Sequence, residues 1–290
     1  MKTVKKASLC APDQEKTCFA CCPPIRPALY EHIQYRGIVQ RILRENTAVF
    51  QPESREVLPI TGFSCWALGY LDPECRSVGC LLHPARNGGE DLRYRVDYAD
   101  KCRRETCPEA TVFSRLQPDA QRFWLHLARD LDSFSYSSRK CNPLFLMMNW
   151  GTTLLAVIPE EEKYAMRSWP EFVMRYPFFS TAISPRGHAY LINRLVGING
   201  LRLLRSEAFG LYLKGLSRRI LERIGAQWPP PGTGHPVHRL DLDRDFLDFL
   251  RLSARIKRLP RQEALRIKEM VDQELDLSVH PEMKLCPRFS

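Results

Sequence analysis

Apolar residues recur every three or four positions along much of this chain, which is the spacing of a helix with one buried face. The pattern predicts six helices, over residues 27–45, 118–134, 188–196, 206–224, 243–257 and 260–275. Two other stretches favour strands. Residues 142–158 are apolar and become β-branched towards their end, and residues 48–61 have room for one or two short strands. The expected fold class is therefore α+β and mainly helical.

Residues 65–107 show little periodicity and are rich in Gly, Pro, Asp and Arg. A stretch of this composition buries little apolar surface, so it needs another source of order, which metal–thiolate bonds can supply. We therefore expect a cysteine-rich, loop-dominated, metal-organised module over residues 1–112, packed on a mainly helical region over residues 113–290. Within the second region, residues 228–236 (WPPPGTGHP) indicate a stiff linker between helices.

The chain has 290 residues, 44% of them apolar and 26% charged, so it can bury a core without help from disulfides. No apolar run of signal-peptide length follows the basic N-terminus. The longest uncharged stretch, residues 141–159, is shorter than the roughly 20 apolar residues of a membrane span and contains Asn149 and Gly151. The sequence predicts a cytoplasmic protein with no membrane segment, in which thiols are normally reduced.

Eight of the eleven cysteines form a pool of candidate metal ligands: Cys18, Cys21, Cys22, Cys65, Cys75, Cys80, Cys102 and Cys107. The two-residue gap between Cys18 and Cys21 lets one turn aim two sulfurs at one ion, as zinc sites do. Gaps of two and four residues are also usual among the ligands of iron–sulfur clusters. The predicted cofactor is therefore an iron–sulfur cluster or zinc.

Cys21 and Cys22 are adjacent, and successive side chains diverge in most backbone conformations. Either one of them is a spectator, or the two serve different centres or different atoms of one cluster. Two four-cysteine sites would use all eight thiols, and one such site with further redox or structural thiols fits the sequence equally. His83, three residues after Cys80, is an additional candidate ligand. The isolated cysteines are interpreted as small packing residues: Cys10, Cys141 and Cys286.

The element Cys18-Phe19-Ala20-Cys21-Cys22, with single cysteines after it, resembles the cysteine-cluster family of zinc- or iron-chelating proteins. That family shares its cysteine pattern with flagellin lysine methylases. The resemblance covers about residues 15–110, and it implies that these three cysteines are ligands with Cys75 and Cys80 as later partners. Members of that family usually carry a tyrosine and an Arg-Pro pair just before a late cysteine. This chain departs from that pattern, since Leu-Leu-His-Pro follows Cys80 instead.

These observations favour a metal- or iron–sulfur-binding protein with a structural or electron-transfer role, since four thiolates leave no open coordination position. The resemblance implies a second hypothesis, an enzyme of methyl transfer. The charge distribution gives a third. Residues 1–112 hold 16 Lys and Arg against 14 Asp and Glu, whereas residues 113–290 hold 27 against 19. Basic helices at 202–223 and 251–261 would then contact nucleic-acid phosphates, with Arg218, Arg219 and Arg223 sharing a face.

Overall fold

The computed structural model describes residues 8–22, 31–61, 64–104, 107–228 and 234–278. The chain divides into two compact units. Unit 1 comprises Met1–Met148 with Tyr164–Ser168, and unit 2 comprises Asn149–Lys163 with Trp169–Ser290. Most of the described elements are helices, and the strands form two short antiparallel pairs. The expectation of a mainly helical chain is therefore confirmed.

Unit 1 combines short helices with one β-hairpin. Its helices are α1 (Arg36–Val49), α2 (Ala99–Arg104), α3 (Pro108–Ser114), α4 (Pro118–His126), α5 (Ser133–Ser137) and α6 (Pro143–Met147). The hairpin pairs β1 (Leu68–Tyr70) with β2 (Val78–Cys80), and Leu68 lies opposite Cys80. Long loops join these elements, as the composition of residues 65–107 led us to expect.

Helix α1 packs against β1 and fixes the loop that leads into it. Asn46 Nδ2 donates to the carbonyl of Cys65 at 3.1 Å and to that of Leu68 at 2.9 Å. Thr47 Oγ1 accepts the N–H of Tyr70 at 2.8 Å. These bonds give side-chain partners to backbone groups of the hairpin and of the loop that leads into it. They also hold Cys65 in place beside the ladder.

Helix α5 anchors the N-terminal segment, residues 8–22. The buried hydroxyl of Tyr136 donates to the carbonyl of Leu9 at 3.0 Å, and the N–H of Phe19 donates to Ser137 Oγ at 2.9 Å. These bonds tie the first residues of the unit to a helix that lies well beyond residue 112. The division expected after residue 112 therefore falls inside unit 1, and the compact unit extends to Met148.

Unit 2 is built from longer helices around an aromatic core. Its helices are α7 (Thr152–Glu161), α8 (Trp169–Arg175), α9 (Pro185–Asn199), α10 (Ala208–Gln227), α11 (Arg244–Asp248) and α12 (Arg261–Leu277). A π-helical turn, Phe249–Ser253, continues α11, and β3 (His235–Pro236) pairs with β4 (Arg258–Leu259). The largest fully buried side chains of this unit are Trp150, Tyr176, Phe172, Phe178, Phe209, Phe246 and Phe249.

The strand predicted over residues 142–158 is wrong, because this stretch is helical. Asn142 caps α6 by accepting the N–H of Leu144 at 2.9 Å, and Pro143 stands in the first turn, where its missing N–H has no consequence. Val157, one of the β-branched residues that favoured a strand, lies exposed. The buried positions of α7 follow helical spacing: Leu154, Leu155 and Ile158.

The single helix predicted over residues 118–134 is divided in two. Helix α4 ends at His126, and α5 begins after Asp132. The reason is local: Asp132 Oδ1 accepts the N–H of Ser135 at 2.8 Å and so caps a new helix. Both helices bury apolar residues, Phe123 and Trp124 in α4 and Phe134 in α5, so the apolar spacing continues across the break.

Two predictions lie partly outside the described residues: the start of the first helix, in residues 23–30, and the linker, in residues 229–233. Residues 48–61 carry no strand pair, and the only β contact found among them is an isolated bridge between Leu58 and Val96. Within the described ranges, no helix combines the length and apolar character needed to cross a bilayer.

Candidate metal centre

Five segments of unit 1 bring cysteines into one region. The N-terminal segment carries Cys18, Cys21 and Cys22, Cys65 lies before β1, Cys80 ends β2, Cys102 lies in α2, and Cys107 precedes α3. Thiols of different segments raise one another's pKa values electrostatically, which requires them to lie near one another in the fold. These seven residues therefore lie in the same part of unit 1, and their role as ligands stays a prediction.

The N-terminal thiols lie beside a cysteine that the spacing pattern did not single out. The N–H of Cys18 donates to the carbonyl of Cys10 at 2.8 Å, which places the two residues side by side. Burial raises the pKa of Cys18 to about 12, and the thiols of Cys10, Cys21 and Cys107 contribute to the rise. Loss of solvent around its sulfur, and then the thiol of Cys21, raises the pKa of Cys10. No signal in the sequence marked Cys10.

A second group of thiols faces the hydrophobic core of unit 1. Cys65 is buried in that core, and Cys22 and Cys80 pack against it. A hydrogen bond with Cys21 and burial raise the pKa of Cys22 well above its ordinary value, with Cys80 and Cys65 adding to the effect. Burial raises the pKa of Cys65 to about 12 and that of Cys80 to about 11. In both cases the thiol of Cys102 raises it further.

Arg93 supplies positive charge beside this second group. Its guanidinium makes two hydrogen bonds to the carboxylate of Asp91, each 2.8 Å long, and a third to the carbonyl of Cys102 at 3.1 Å. Hydrogen bonds from Arg93 hold the pKa of Asp91 at about 2. Burial raises the pKa of Cys102, and the charge of Arg93 opposes that rise. The charge of Arg93 thus limits the rise in the pKa of Cys102 and Cys80 without reversing it.

The thiol of Cys107 donates a hydrogen bond to a buried carboxylate. Its Sγ donates to Glu109 Oε2 at 2.7 Å, while Arg139 Nη1 donates to Glu109 Oε1 at 2.8 Å. Burial and then the hydrogen bond to Glu109 raise the pKa of Cys107 to about 12. In this arrangement the thiol keeps its proton. It must therefore leave Glu109 before it can act as a thiolate ligand.

The placement of Cys75 departs from the predicted ligand pool. This residue lies in the turn between β1 and β2, next to the end of the ladder where Tyr70 pairs with Val78. Cys65 and Cys80 lie at the other end, roughly 7 Å of strand away. Cys75 is exposed and helps to line an open surface pocket of about 390 Å³ together with Arg36, Arg76 and Asp132. A gap count along the chain does not reveal which end of a hairpin a cysteine occupies.

The remaining candidate residues take other roles. His83 is exposed, and its Nδ1 accepts the N–H of Ala85 at 3.1 Å, so it caps its own turn. Cys141 is exposed and its N–H donates to Ser138 Oγ at 3.1 Å. Cys286 lies outside the described residues.

The donor set suits a soft metal, although the donors do not surround an ion in their present positions. Among the described residues, no three His, Cys, Asp or Glu side chains form an arrangement that would hold a metal. The ten cysteines in those ranges carry no disulfide. Thiolates are the preferred ligands of zinc and of iron–sulfur clusters. The residues therefore fit such a group in their chemistry.

The basic helices of unit 2 are partly engaged with acids of their own chain. Arg223 forms an ion pair with Glu274 of α12, and Arg218 lies 4.0 Å from Glu222 in the next turn. Arg219 is exposed. Of the three arginines expected to share a nucleic-acid-binding face, Arg223 thus contacts α12 instead. A nucleic-acid contact stays a prediction, as does methyl transfer.

Comparisons of the chain with protein-family models, with curated proteins and with solved structures find no match. The resemblance of residues 18–22 to the cysteine-cluster family therefore stays a prediction. The chemical meaning of this region rests on its own thiols and on the groups around them.

Proposed function

We propose that this protein binds a metal or an iron–sulfur cluster through the cysteine thiolates of unit 1. The observation that carries the proposal is the convergence of thiols from five segments spread over almost a hundred residues of sequence. Side chains so far apart meet only because the fold brings them together. Soft donors gathered in this way are the ligands that zinc and iron–sulfur clusters require.

Ordinary packing explains these cysteines less well. A cysteine that serves as a small apolar residue is usually among the most buried side chains of a protein. Here only Cys65 is buried, while Cys10 and Cys21 are exposed and the others are half-buried. Cys10 and Cys21 therefore gain less from apolar contact than a core cysteine does.

The donor set favours a structural or electron-transfer role over hydrolysis. Four thiolates fill the coordination sphere of zinc and leave no position for water. The same four ligands hold an iron–sulfur cluster, whose chemistry is the movement of single electrons. In either case the metal would link the N-terminal segment to the hairpin and to α2. That link would stabilise the loop-rich part of unit 1.

The test is anaerobic purification of the full chain, followed by an absorption spectrum and by elemental analysis of iron and zinc. Broad absorbance near ~400 nm with about four or more irons per chain is the expected result for a cluster. A colourless protein that retains one or two zinc ions is the expected result for structural sites. Folded protein that holds neither metal, with all its thiols titratable, would contradict the proposal.

A further inference from the structure

The surface pocket beside Cys75 is a cavity that the proposed metal chemistry does not use. Its volume is about 390 Å³, which is within the range of pockets that hold small organic molecules. Its walls come from the N-terminal segment, the start of α1, the turn between β1 and β2 and the residues around the start of α5, all in unit 1. Among the described residues that line it, Cys75 is the only cysteine.

The turn that carries Cys75 is held by hydrogen bonds to Asp72. The carboxylate of Asp72 accepts the N–H of Arg76 at 3.1 Å and that of Ser77 at 2.5 Å, and its carbonyl accepts the N–H of Cys75 at 3.2 Å. The sulfur of Cys75 lies 3.8 Å from the carbonyl oxygen of Pro73, a weak contact for a thiol, and the residue is exposed. A fixed turn thus presents an accessible thiol at the wall of the pocket.

The pocket also carries more cationic groups than its own acids engage. Its charged lining consists of Lys16, Arg36, Arg76 and Arg129 with Glu15, Asp130 and Asp132. Both oxygens of Asp132 have partners, since one accepts the N–H of Ser135 and the other pairs with Arg36. Among the described residues, the guanidinium of Arg76 donates no hydrogen bond, and its ion pair with Glu74 is 3.8 Å long between two side chains that are more than half exposed. A pair of this kind contributes little, so Arg76 can bind the carboxylate of a ligand.

Arg36 provides a second guanidinium, in a fixed position. It forms an ion pair with Asp132, and its Cζ lies 5.0 Å from the centre of the Phe134 ring. A planar guanidinium that is held in place loses little entropy when it binds a carboxylate. The same cavity therefore offers an exposed thiol and two guanidinium groups, which together suit a small molecule that contains sulfur and carboxylates.

The hairpin separates this thiol from the cysteines at its other end. Cys65 and Cys80 lie beyond the opposite end of the β1–β2 ladder, roughly 7 Å of strand away. A mixed disulfide is broken when another thiolate attacks one of its sulfurs. A disulfide formed at Cys75 meets no second cysteine among the described residues of the pocket, so it persists until an external thiol attacks it.

We propose that this pocket binds a small disulfide that bears carboxylates, of the glutathione class, and that Cys75 exchanges with it to form a mixed disulfide. This inference goes beyond the proposed function and does not depend on it. It assigns a reversible modification to the one cysteine of the predicted ligand pool that lies away from the other seven.

The exchange needs no other oxidant. The thiolate of Cys75 attacks one sulfur of the small disulfide, whose S–S bond breaks as the new S–S bond forms. The displaced sulfur leaves as a thiolate and takes up the proton that Cys75 released. One small disulfide and one protein thiol thus give one mixed disulfide and one small thiol.

The test treats the anaerobically purified full chain with oxidised glutathione and follows the adduct at each cysteine by peptide-mapping mass spectrometry. Cys141 is the internal reference, because it is an exposed thiol of the same unit that does not line the pocket. We expect Cys75 to react about tenfold faster than Cys141, because a cationic cleft raises the local concentration of an anionic reagent. With the uncharged bis(2-hydroxyethyl) disulfide, the two cysteines are expected to react at similar rates.

Variants of exposed residues test the role of the pocket. Arg76→Gln is expected to slow the reaction of Cys75 with oxidised glutathione by about threefold and to leave its reaction with the uncharged disulfide unchanged. Arg115→Gln is the matched control, because Arg115 is an exposed arginine of the same unit outside the pocket, and it is expected to change neither rate. Cys75→Ser is expected to remove the fast phase of adduct formation on the intact chain, whereas Cys141→Ser keeps it.

The comparison of two cysteines within the wild-type chain decides the question even if a variant fails to fold. Equal rates at Cys75 and Cys141 with oxidised glutathione would overturn the inference. The same preference for Cys75 with both disulfides would also overturn it, since the pocket would then recognise no charge. Neither result affects the proposed function, which the metal content of the purified chain tests separately.

Discussion

Asp245 carries a carboxyl group whose surroundings oppose its ionisation. Burial and the nearby carboxylate of Asp243 raise the pKa of Asp245 to about 6, even though Asn193 Nδ2 donates to its Oδ2 at 2.8 Å. The backbone of Gly151 approaches the same oxygen, since a Cβ built there would lie 2.6 Å from it. A charge at this position is therefore held in a confined space with little solvent.

The raised pKa of Asp245 predicts a specific dependence of stability on pH. The folded state holds the proton more tightly than the unfolded chain, whose pKa is near the ordinary value of 3.8. The stabilising contribution is therefore present at low pH and is lost as the pH rises through about 6. We expect Asp245→Asn to raise the free energy of unfolding, relative to wild type, more at pH 7.5 than at pH 5. Urea denaturation at both values measures the difference.

Asp241→Asn provides the control, because Asp241 is an exposed carboxyl on the same segment and its replacement removes the same charge. This variant is expected to shift stability little and by a similar amount at both pH values. A gain for Asp245→Asn that is larger at pH 5 would show that the buried carboxylate is favoured in the folded state, against the prediction.

At the residue scale, the cysteine spacing indicated most of the thiols that lie near one another in unit 1, but it did not mark Cys10. The two-residue gap between Cys18 and Cys21 predicts thiolate ligation, and the structure places both residues near other thiols of unit 1. Cys10 gave no signal, because its closeness to Cys18 depends on a backbone bond that closes a loop. Cys75 was included because of its spacing and because of the family resemblance. Its separation depends on the hairpin, which a spacing argument does not contain.

At the scale of elements, α5 holds the N-terminal segment in place through hydrogen bonds to Leu9 and Phe19. The hydroxyl of Tyr136 is fully buried and is the donor for the carbonyl of Leu9, one residue before Cys10. We expect Tyr136→Phe to lower the free energy of unfolding by about 1–3 kcal/mol, because a buried carbonyl loses its partner. Chemical denaturation of the full chain measures this change.

Tyr94→Phe is the control variant for Tyr136→Phe. Tyr94 belongs to the same unit but is 37% exposed, and its hydroxyl lies 3.4 Å from Arg55 Nη1. Its substitution is expected to change stability by no more than about 0.5 kcal/mol. Equal effects of the two variants would mean that the bond to Leu9 contributes nothing beyond an ordinary surface hydroxyl.

The helical spacing of apolar residues predicted the long helices correctly. Where that spacing gave a wrong prediction, side-chain capping determined where a helix begins. Helices α9, α10 and α12 lie where the apolar spacing placed them. The failure at residues 142–158 came from weighing β-branched residues above Asn142 and Pro143, which begin a helix. The break at Asp132 has the same origin, because a side-chain cap starts a helix regardless of the apolar pattern around it.

At the scale of the whole molecule, the extent of unit 1 predicts how the chain can be divided. A fragment of residues 1–168 contains every part of that unit, whereas residues 1–112 lack α5 and its bonds to the N-terminal segment. We expect the longer fragment to unfold cooperatively and to retain the metal content per chain of the full protein. The shorter fragment is expected to show no cooperative transition. Circular dichroism melting and elemental analysis of both fragments measure these properties.

Cooperative unfolding of residues 1–112 with full metal content would contradict this prediction. It would mean that the thiols organise their module without α5. Loss of metal from residues 1–168 would instead show that unit 2 is needed to keep the ligands in place.

The bond between Tyr136 and Leu9 also has a consequence for biosynthesis. The segment that carries the first four cysteines leaves the ribosome long before the helix that anchors it. At about 5–20 residues per second, roughly 6–25 s pass between the synthesis of Cys10 and that of Tyr136. During this interval the early thiols have neither their clamp nor their later partners. The early thiols of a nascent chain must therefore stay reduced during this interval. If they bind metal as proposed, we expect loading to follow the emergence of α5.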